Sequence, residues 1–331
     1  MFDQIRQQQI HQLASSNIPT APPTVVVVQG PTASGKTVLA HALAEEYPIE
    51  IISADSRQVY IGLDIGTAKP TPAERQHYHY HGLDICTPDN CISAGTFAQL
   101  AWGWIEEITS KGKIPLIVGG SGLYVRAIIN GFVREPAAVP ESVRATLEER
   151  LHVEGRDVLY AELQRVDPES AMLYSDRNPR RILRALEFFY AHGIPISTAR
   201  QTMHQLPPPM SIVSFVLLPD RKDLYSRIRL RTRQMWNAGL LTETLSLLDA
   251  GYHSTLSIFS TIGYAEALAH LENRMSLDEA IEHTEQRTRN YAKRQYTWLR
   301  NEVRGGVILH CFGENALDVI RKHLSHTLSD A

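Results

Sequence analysis

The sequence has few cysteines, no long apolar run and no excess of charge of either sign. Its three cysteines, Cys86, Cys91 and Cys311, form neither a Cys-x-x-Cys pair nor an even disulfide framework, so a reducing cytoplasm fits best. No uninterrupted apolar span reaches the length of a membrane helix. Residues 1–23 are polar and Gln-rich, without the apolar core of a signal peptide. We therefore expect a cytoplasmic protein with no membrane contact and interpret residues 1–23 as a flexible extension.

The composition allows a large folded core. The chain has 331 residues, of which 43% are hydrophobic, so one large domain or two modest domains are expected. The net charge of −3 excludes a uniformly basic nucleic-acid binder. Any surface for nucleic acid must come from local clusters among the 33 lysines and arginines.

Residues 30–37 have the sequence Gly-Pro-Thr-Ala-Ser-Gly-Lys-Thr, the pattern of a phosphate-binding loop. They follow a β-branched run at 25–28 that predicts a buried strand, and they precede a helical pattern at 38–46. In this context the N–H groups of the loop and the positive end of the helix hold phosphate oxygens. We expect Lys36 to reach the outer phosphate and Thr37 to ligate Mg²⁺. The predicted phosphate-binding residues are Gly30, Pro31, Thr32, Ala33, Ser34, Gly35, Lys36 and Thr37.

Asp55 follows the second predicted strand, residues 49–53. In a parallel sheet this strand ends at the same edge as the phosphate loop, so Asp55 is expected near bound phosphate. Such a carboxylate can ligate a metal ion, orient it through water, or accept a proton from an attacking nucleophile. It can also serve only as a helix N-cap or loop residue. The residues by themselves leave these roles open.

The order of strand and helix patterns predicts an α/β fold with two parts. Strand patterns at 25–28, 49–53, 114–118, 212–217 and 307–309 alternate with helical ones, as in a parallel P-loop NTPase or kinase-like sheet flanked by helices. Between 140 and 205 the patterns are helical without strands, which predicts an inserted all-helical subdomain. We expect residues 24–139 and 206–331 to form the core and 140–205 to form the insertion.

A second glycine-rich turn at 119–124 follows the third predicted strand and places Ser121 at the same sheet edge. By itself it is a weak signal, because such glycines often serve packing alone. His77, His79 and His81 alternate as metal ligands on one face of a strand would. No second group of cysteines, histidines or carboxylates lies near them in the sequence, so we interpret them as an ordinary polar segment rather than a metal site.

Basic residues are concentrated on three predicted helices. The first has Pro179 in its first turn, the second follows the strand at 212–217, and the third interleaves aromatic with basic residues. The third pattern suits phosphate backbones and unstacked bases, although a solvated helix face is the simpler explanation for a charge run. The clusters are Arg180, Arg181 and Arg184; Arg227 and Arg231; and Lys293, Arg294, Gln295, Tyr296, Thr297, Trp298, Leu299 and Arg300.

Six motifs occur together and in order along the chain. They are Gly30-Pro31-Thr32-Ala33-Ser34-Gly35-Lys36-Thr37, Asp55-Ser56-Arg57-Gln58-Val59-Tyr60, Gly66-Thr67-Ala68-Lys69-Pro70, Gly119-Gly120-Ser121-Gly122-Leu123-Tyr124, Asn178-Pro179-Arg180-Arg181 with Arg184-Ala185-Leu186-Glu187, and Lys293-Arg294-Gln295-Tyr296-Thr297-Trp298-Leu299-Arg300. With them, the chain resembles the tRNA dimethylallyltransferase family, also called tRNA isopentenyltransferases, from about Thr24 to Gly313. The resemblance implies prenyl transfer from dimethylallyl diphosphate to the N6 amine of the adenosine immediately 3′ of the anticodon. No phosphoryl group moves.

The resemblance also implies roles for individual residues. The loop amides, Lys36, Mg²⁺ on Thr37 and Arg227 or Arg231 would stabilise the leaving diphosphate. Asp55 would orient the adenine amine and remove its proton, with Ser121 near the reacting groups. The tRNA-binding residues would be Asp55, Ser56, Arg57, Gln58 and Ser121 at the flipped base, and Arg180, Arg181, Arg184 and Lys293 to Arg300 along the anticodon stem-loop, which the insertion 140–205 would contact. Nothing in the sequence demands a partner protein or more than a monomer.

Two positions depart from the family pattern. Ser121 stands where the family usually has Thr, and neither Ser260 nor Thr261 is the Arg commonly found there. The cysteine and histidine pairs of a C-terminal zinc finger are absent from this sequence, which implies the bacterial type of enzyme.

Two other classes of protein would use part of this sequence. A small-molecule kinase would use the same phosphate loop, with Asp55 as base for a substrate hydroxyl. It would have no need of the basic segments at 180–184 and 293–300. A non-catalytic RNA-binding protein would explain those segments but would leave Lys36, Thr37 and Asp55 without a role.

Overall fold

The computed structural model describes residues 22–134, 137–302 and 305–329, so the predicted N-terminal extension falls almost entirely outside the described residues. The chain divides into two compact units. One comprises the chain up to Val125 and from Pro208 onward, and the other comprises Arg126–Pro207. The second unit begins before the predicted boundary at residue 140. No helix among the described residues combines the length and the apolar character that a bilayer crossing requires.

The first unit is built on a six-stranded parallel sheet, which confirms the predicted fold class. Its strands are β1 Thr24–Gln29, β2 Ile49–Ser53, β3 Tyr80–His81, β4 Ile114–Gly119, β7 Ser211–Leu217 and β8 Val307–Leu309. Their spatial order is β3-β2-β4-β1-β7-β8. The two-residue edge strand β3 was missed, because it is too short to show a periodic pattern.

Helices connect and flank these strands. Before the second unit they are α1 Lys36–Glu46, α2 Pro72–His77 and α3 Ala94–Ser110, and α4 Gly122–Asn130 begins in the first unit and ends in the second. After it they are α10 Arg221–Asn237, α11 Leu240–Asp249, α12 Tyr264–Leu271, α13 Leu277–Glu302 and α14 Leu317–Ser329, with 3₁₀ turns at Ser257–Ser260 and Gly313–Asn315.

The strand β1 is buried at the centre of the sheet, and its end is level with the ends of its neighbours. Val25 to Val28 are 0% exposed, because β1 has β4 on one side and β7 on the other and helices cover both faces. The ends of the strands are level. Gln29 of β1 lies opposite Gly119 of β4, and Ser53 of β2 lies opposite Val118. The turns that leave β1, β2 and β4 therefore begin side by side at one edge of the sheet.

The second unit has its own hydrophobic core. Leu159, Leu163, Ile182, Leu186 and Phe188 are buried together there. Its elements are α5 Glu141–Val153, α6 Arg156–Val166, α7 Pro168–Leu173, α8 Pro179–His192 and α9 Ile196–Thr202, with a short antiparallel ribbon of β5 Phe132–Val133 and β6 His204–Gln205. The ribbon corrects the expectation of an all-helical stretch at 140–205. Two-residue strands leave no sequence pattern by which they could be predicted.

The buried carboxylate of Glu50 connects β2 with β3 and with the residues that precede β4. Glu50 of β2 has a side chain that is 1% exposed, and one of its oxygens accepts a hydrogen bond from Lys113, which precedes β4, at 2.8 Å. The other oxygen lies 2.8 Å from Nε2 of His81 and 3.5 Å from Nε2 of His79. In the sequence no second group of cysteines, histidines or carboxylates lies near these histidines, and the fold brings Glu50 to them. Lys111 lies 3.5 Å from the same oxygen, so two lysines already balance the charge of Glu50.

These partners determine the pKa of Glu50. Burial by itself would raise that pKa, but the hydrogen bonds from Lys113 and His81 and the charge of His79 lower it from 4.5 to about 2. A depressed carboxyl pKa contributes stability above its unfolded value, and this contribution disappears as the pH falls through the folded value.

We predict that Glu50→Gln lowers the free energy of unfolding by about 3 kcal/mol at pH 7, as the shift from 4.5 to about 2 implies. The difference from the wild type should shrink as the pH falls from about 4.5 towards about 2. Urea unfolding at a series of pH values measures it. Glu106→Gln, an exposed position on α3, is the matched control and should change stability little at any pH. A Glu50→Gln effect that is independent of pH would contradict this account.

Candidate active site

The phosphate-loop pattern adopts the expected strand–loop–helix geometry. The loop leaves β1 at Gly30, and the helix α1 starts at Lys36. Ala33 has φ +64° and Gly35 has φ +86°, so the backbone alternates into the left-handed region and turns its N–H groups towards one side. In this structure the Lys36 ammonium donates to the carbonyl of Pro31 at 2.8 Å, which holds it over the loop.

Lys36 is half-buried, with the charges of Arg231 and Asp55 nearby. Burial, and then the charge of Arg231, lower the pKa of Lys36 from 10.5 to about 8, although Asp55 opposes the shift. Arg231 donates to the Thr32 hydroxyl at 3.3 Å and is itself buried enough that its pKa falls. A bound anion would restore the lost solvation of both cations, so the site is suited to a ligand with several negative oxygens.

Asp55 and Ser121 lie in the turns that follow β2 and β4. Asp55 Oδ1 accepts the amide N–H of Arg57 at 2.9 Å, which fixes the carboxylate in an Asx turn. Ser121 Oγ accepts the amide N–H of Ser56 at 2.9 Å and donates to the Ser56 hydroxyl at 3.3 Å. A Cβ atom at Gly119 would lie 2.1 Å from the carbonyl oxygen of Ala54, so this close approach of the two turns requires glycine.

One cavity brings together most of the predicted catalytic groups. It is lined by Thr32, Lys36 and Thr37 of the phosphate-loop region, by Asp55, and by Arg231. The Thr37 hydroxyl and the Asp55 carboxylate are oxygen donors on the same cavity, and Mg²⁺ prefers such ligands together with phosphate oxygens and water. Ser121 does not line the cavity itself; it follows Gly120, which does, and its bonds hold Ser56, the neighbour of Asp55.

Sequence reasoning assigned no individual role to several residues that line the cavity, among them Gly120 and Tyr291. Gly120 lines it from the second glycine-rich turn, and Tyr291 lines it from α13. Burial, and then the charge of Asp55, raise the pKa of Tyr291 to about 12, so its hydroxyl remains a hydrogen-bond donor. The sequence did show Tyr291 beside the basic run, but aromatic residues at helical spacing serve core packing equally well.

Gln58 lines the cavity as well, yet its side chain is already committed within the protein. Its Nε2 donates to the carbonyls of Thr67 and Ala68 at 3.2 and 3.1 Å, and its Oε1 accepts from Ser53 at 2.8 Å. These bonds tie the Gly66–Pro70 motif to the end of β2. In this structure Gln58 supports the cavity wall, and the predicted base contact would need these bonds to change.

The two arginines predicted to bind diphosphate differ in position. Arg231 lines the cavity, whereas Arg227 does not. Arg227 forms an ion pair with Glu314, and its guanidinium lies 3.6 Å from the centre of the Phe312 ring. Both arginines are on one face of α10 as predicted. They are one helical turn apart, and at this separation Arg231 lines the cavity while Arg227 forms an ion pair with the C-terminal segment.

The helix α13 has two different faces at the basic aromatic motif. Lys293, Arg294, Thr297 and Arg300 are exposed, as tRNA-binding residues would be. The remaining members point inward or are partly covered. Leu299 is 4% exposed and packs with Val216 and Leu218, Trp298 packs on Gly122, Gln295 is 8% exposed, and Tyr296 lies under the guanidinium of Arg221. The predicted tRNA contact of Leu299 is incompatible with this burial, because its side chain fills the space between α13 and the sheet.

The first arginine cluster lies on α8, in the second unit. Asn178 caps this helix by accepting the amide N–H of Arg180 at 3.1 Å, and Pro179 takes its first turn as predicted. Arg180 and Arg181 are exposed, and Arg184 is half-buried beside Glu187 at 3.7 Å.

The comparison with known families and proteins agrees with this geometry. The family model described as IPP transferase matches residues 58–302. The tRNA dimethylallyltransferase of Roseiflexus castenholzii is 42% identical over 276 residues, which cover 83% of this chain and 89% of that protein. The tRNA dimethylallyltransferase of Myxococcus xanthus is 42% identical over 287 residues, covering 87% of this chain and 92% of that protein.

Solved structures of similar proteins extend this likeness to the fold. The full-length tRNA isopentenylpyrophosphate transferase of Bacillus halodurans has a TM-score of 0.67 and 34% identity, covering 93% of this chain and 97% of that one. A eukaryotic dimethylallyltransferase acting on tRNA has a TM-score of 0.77 and 25% identity, covering 93% of this chain and 80% of that one.

We predict that affinity for inorganic diphosphate falls as the pH rises above about 8, because Lys36 must be protonated to pair with the anion and its pKa is about 8. The charged fraction of Lys36 drops roughly fivefold between pH 8 and 9, and the dissociation constant should rise by a similar factor. Calorimetric titration at each pH measures this. The Lys36→Arg variant remains charged throughout and corrects for the ionisation of diphosphate itself. Parallel pH profiles for the two proteins would contradict the assignment.

We predict that Arg231→Gln weakens diphosphate binding by roughly tenfold or more, because a cavity-lining charge is lost. Arg227→Gln is the matched control on the same helix face and should change the dissociation constant by less than about threefold, because its charge is paired with Glu314. Equal losses in the two variants would show that Arg227 leaves Glu314 when diphosphate binds.

Proposed function

Because this chain belongs to the IPP transferase family, we propose that it transfers the dimethylallyl group of dimethylallyl diphosphate to the N6 amine of the adenosine immediately 3′ of the anticodon in tRNA. The chain is a prenyltransferase of the tRNA dimethylallyltransferase type, and the small-molecule kinase is the disfavoured alternative. The observation that supports the proposal best is the shared cavity, where Lys36 and Arg231 lie near the carboxylate of Asp55.

The cationic side of the cavity suits the leaving group. When the allylic C–O bond breaks, negative charge develops on the diphosphate, and the loop amides, Lys36 and Arg231 stabilise it. Both cations are poorly solvated in the free protein, so their interaction with the developing charge is stronger than it would be in water. Mg²⁺ held by Thr37 and the phosphates would add further charge neutralisation.

The carboxylate side suits the nucleophile. The lone pair of an adenine N6 amine is delocalised into the ring, so the amine attacks only when it is well oriented. Asp55 accepts a hydrogen bond from this amine and takes its proton as the new N–C bond forms. The Asx turn to Arg57 holds the Asp55 carboxylate, and Ser121 holds the neighbouring Ser56 amide, so the acceptor is fixed before the base enters.

Each unit offers basic residues to tRNA, the first on the exposed face of α13 and the second on α8. Lys293, Arg294 and Arg300 contact backbone phosphates of the anticodon stem-loop, which gives affinity, while the cavity selects the flipped adenosine. The enzyme acts as a cytoplasmic monomer in this proposal.

We predict that the purified protein, with Mg²⁺ and radiolabelled dimethylallyl diphosphate, labels unmodified tRNA that has adenosine after the anticodon. Changing that adenosine to guanosine should abolish the label. Asp55→Ala should lower turnover by roughly 10²–10⁴-fold while leaving tRNA affinity nearly unchanged, because a proton acceptor is lost but the binding face remains.

A parallel tube with ATP and no prenyl donor serves as the control. Consumption of ATP without labelling of tRNA would favour the kinase. Salt-dependent tRNA binding without turnover in either tube would favour a non-catalytic RNA-binding protein. If Asp55→Ala abolished tRNA binding instead, Asp55 would not be the base.

A further inference from the structure

Gln295 connects the two loops that form the cavity. It lies on the inner face of α13 and is 8% exposed. Its Oε1 accepts the amide N–H of Thr32 in the phosphate loop at 2.8 Å. Its Nε2 donates to the carbonyl of Gly120 in the second glycine-rich turn at 2.9 Å. One side-chain amide therefore satisfies a donor of the first loop and an acceptor of the second.

The surrounding residues hold Gln295 in this place. A Cβ atom at Gly120 would lie 2.4 Å from Gln295 Nε2, and one at Gly122 would lie 2.5 Å from the ring of Trp298. The rigid ring of Trp298 leaves room only for glycine at position 122, so this glycine allows α13 to approach the turn. One turn further along α13, Leu299 packs with Val216 and Leu218 and anchors the helix to the sheet.

The bond to Thr32 affects the groups that hold phosphate. Because the Thr32 N–H is directed to Gln295, this amide serves to fix the loop rather than to bind an anion. The Thr32 hydroxyl accepts from Arg231 at 3.3 Å, and the neighbouring carbonyl of Pro31 accepts from Lys36 at 2.8 Å. The positions of both cavity cations thus depend on the short segment that Gln295 holds.

We propose that Gln295 is a positioning residue of the donor site, which keeps the phosphate loop and the Gly120 turn at a fixed separation so that Lys36 and Arg231 face the diphosphate. The proposal rests on the proposed function. It differs from the expectation that Gln295 contacts tRNA, because the side chain is turned away from the exposed face of α13. The inner face of α13 arranges the donor site, and its outer face presents Lys293 and Arg294.

Gln295→Met removes both hydrogen bonds at a similar side-chain volume. It leaves a buried N–H and a buried carbonyl unpaired, so the loop segment loses its fixed position. We expect the dissociation constant for inorganic diphosphate to rise roughly tenfold and kcat to fall, while the dissociation constant for tRNA alone stays within about twofold. Gln286→Met, an exposed glutamine on the same helix, is the matched control and should resemble the wild type.

Gln295→Glu separates positioning from general destabilisation. A protonated carboxyl group can accept from Thr32 and donate to Gly120 as the amide does, whereas the ionised form repels the Gly120 carbonyl. Diphosphate affinity of Gln295→Glu, relative to wild type at the same pH, should therefore recover as the pH falls from about 8 towards 5. Gln295→Met should show no such recovery. Because an ionised carboxyl group at this buried position would also destabilise the fold, far-UV circular dichroism at both pH values checks that Gln295→Glu is folded in the comparison.

Three results would overturn the proposal. They are an unchanged diphosphate affinity in Gln295→Met, a loss confined to tRNA affinity, and a Gln295→Glu profile parallel to that of the wild type. Failure of the proposed function is distinguishable from these results. In that case the wild type would not label tRNA, whereas its binding of diphosphate and the effect of Gln295 on that binding would still be measured.

Discussion

The candidate site depends first on the parallel alignment of β1, β2 and β4. Because Gln29 is level with Gly119, and Ser53 with Val118, the turns that follow these strands begin at the same height and lie side by side. The phosphate loop, the Asp55 turn and the Ser121 turn all come from this one edge. A shift of one strand by a residue would move its turn away from the others and reverse the side chains that face the core. The sheet register is thus the condition on which the chemistry rests.

At this edge of the sheet, the cavity holds two cations whose burial costs free energy. Lys36 and Arg231 lose solvation on one side of the cavity, and Asp55 lies near enough to act on both. Cations that have lost solvation in this way are stabilised by an anionic ligand more strongly than exposed ones are. This explains how a loop known from phosphate transfer can serve a prenyltransferase. In the proposed reaction the phosphates are the leaving group, and no phosphoryl acceptor is needed.

The helix α13 supports the site through its inner face. Gln295 bonds to both glycine-rich loops, Trp298 packs on Gly122, and Leu299 packs beside β7. The sequence motif that contains them gave the impression of a single nucleic-acid-binding stripe. In the fold the motif divides by helical periodicity, so that residues three and four apart share a face while their neighbours are exposed. A basic aromatic run therefore predicts a binding helix better than it predicts which members bind.

Local pattern by itself determined the phosphate loop, the positions of Asp55 and Ser121 at strand ends, the parallel α/β class and most helices. These features follow from residues adjacent in the chain, where β-branched runs, glycines and helical spacing act directly on the backbone. Only the tertiary structure decided that Arg231 lines the cavity while Arg227 pairs with Glu314, that Glu50 meets His79 and His81, and that Gln295 holds Thr32. Thr32 and Gln295 are 263 positions apart. Contacts between residues so far apart in the chain arise from the packing of whole helices and strands, which no short stretch of sequence encodes.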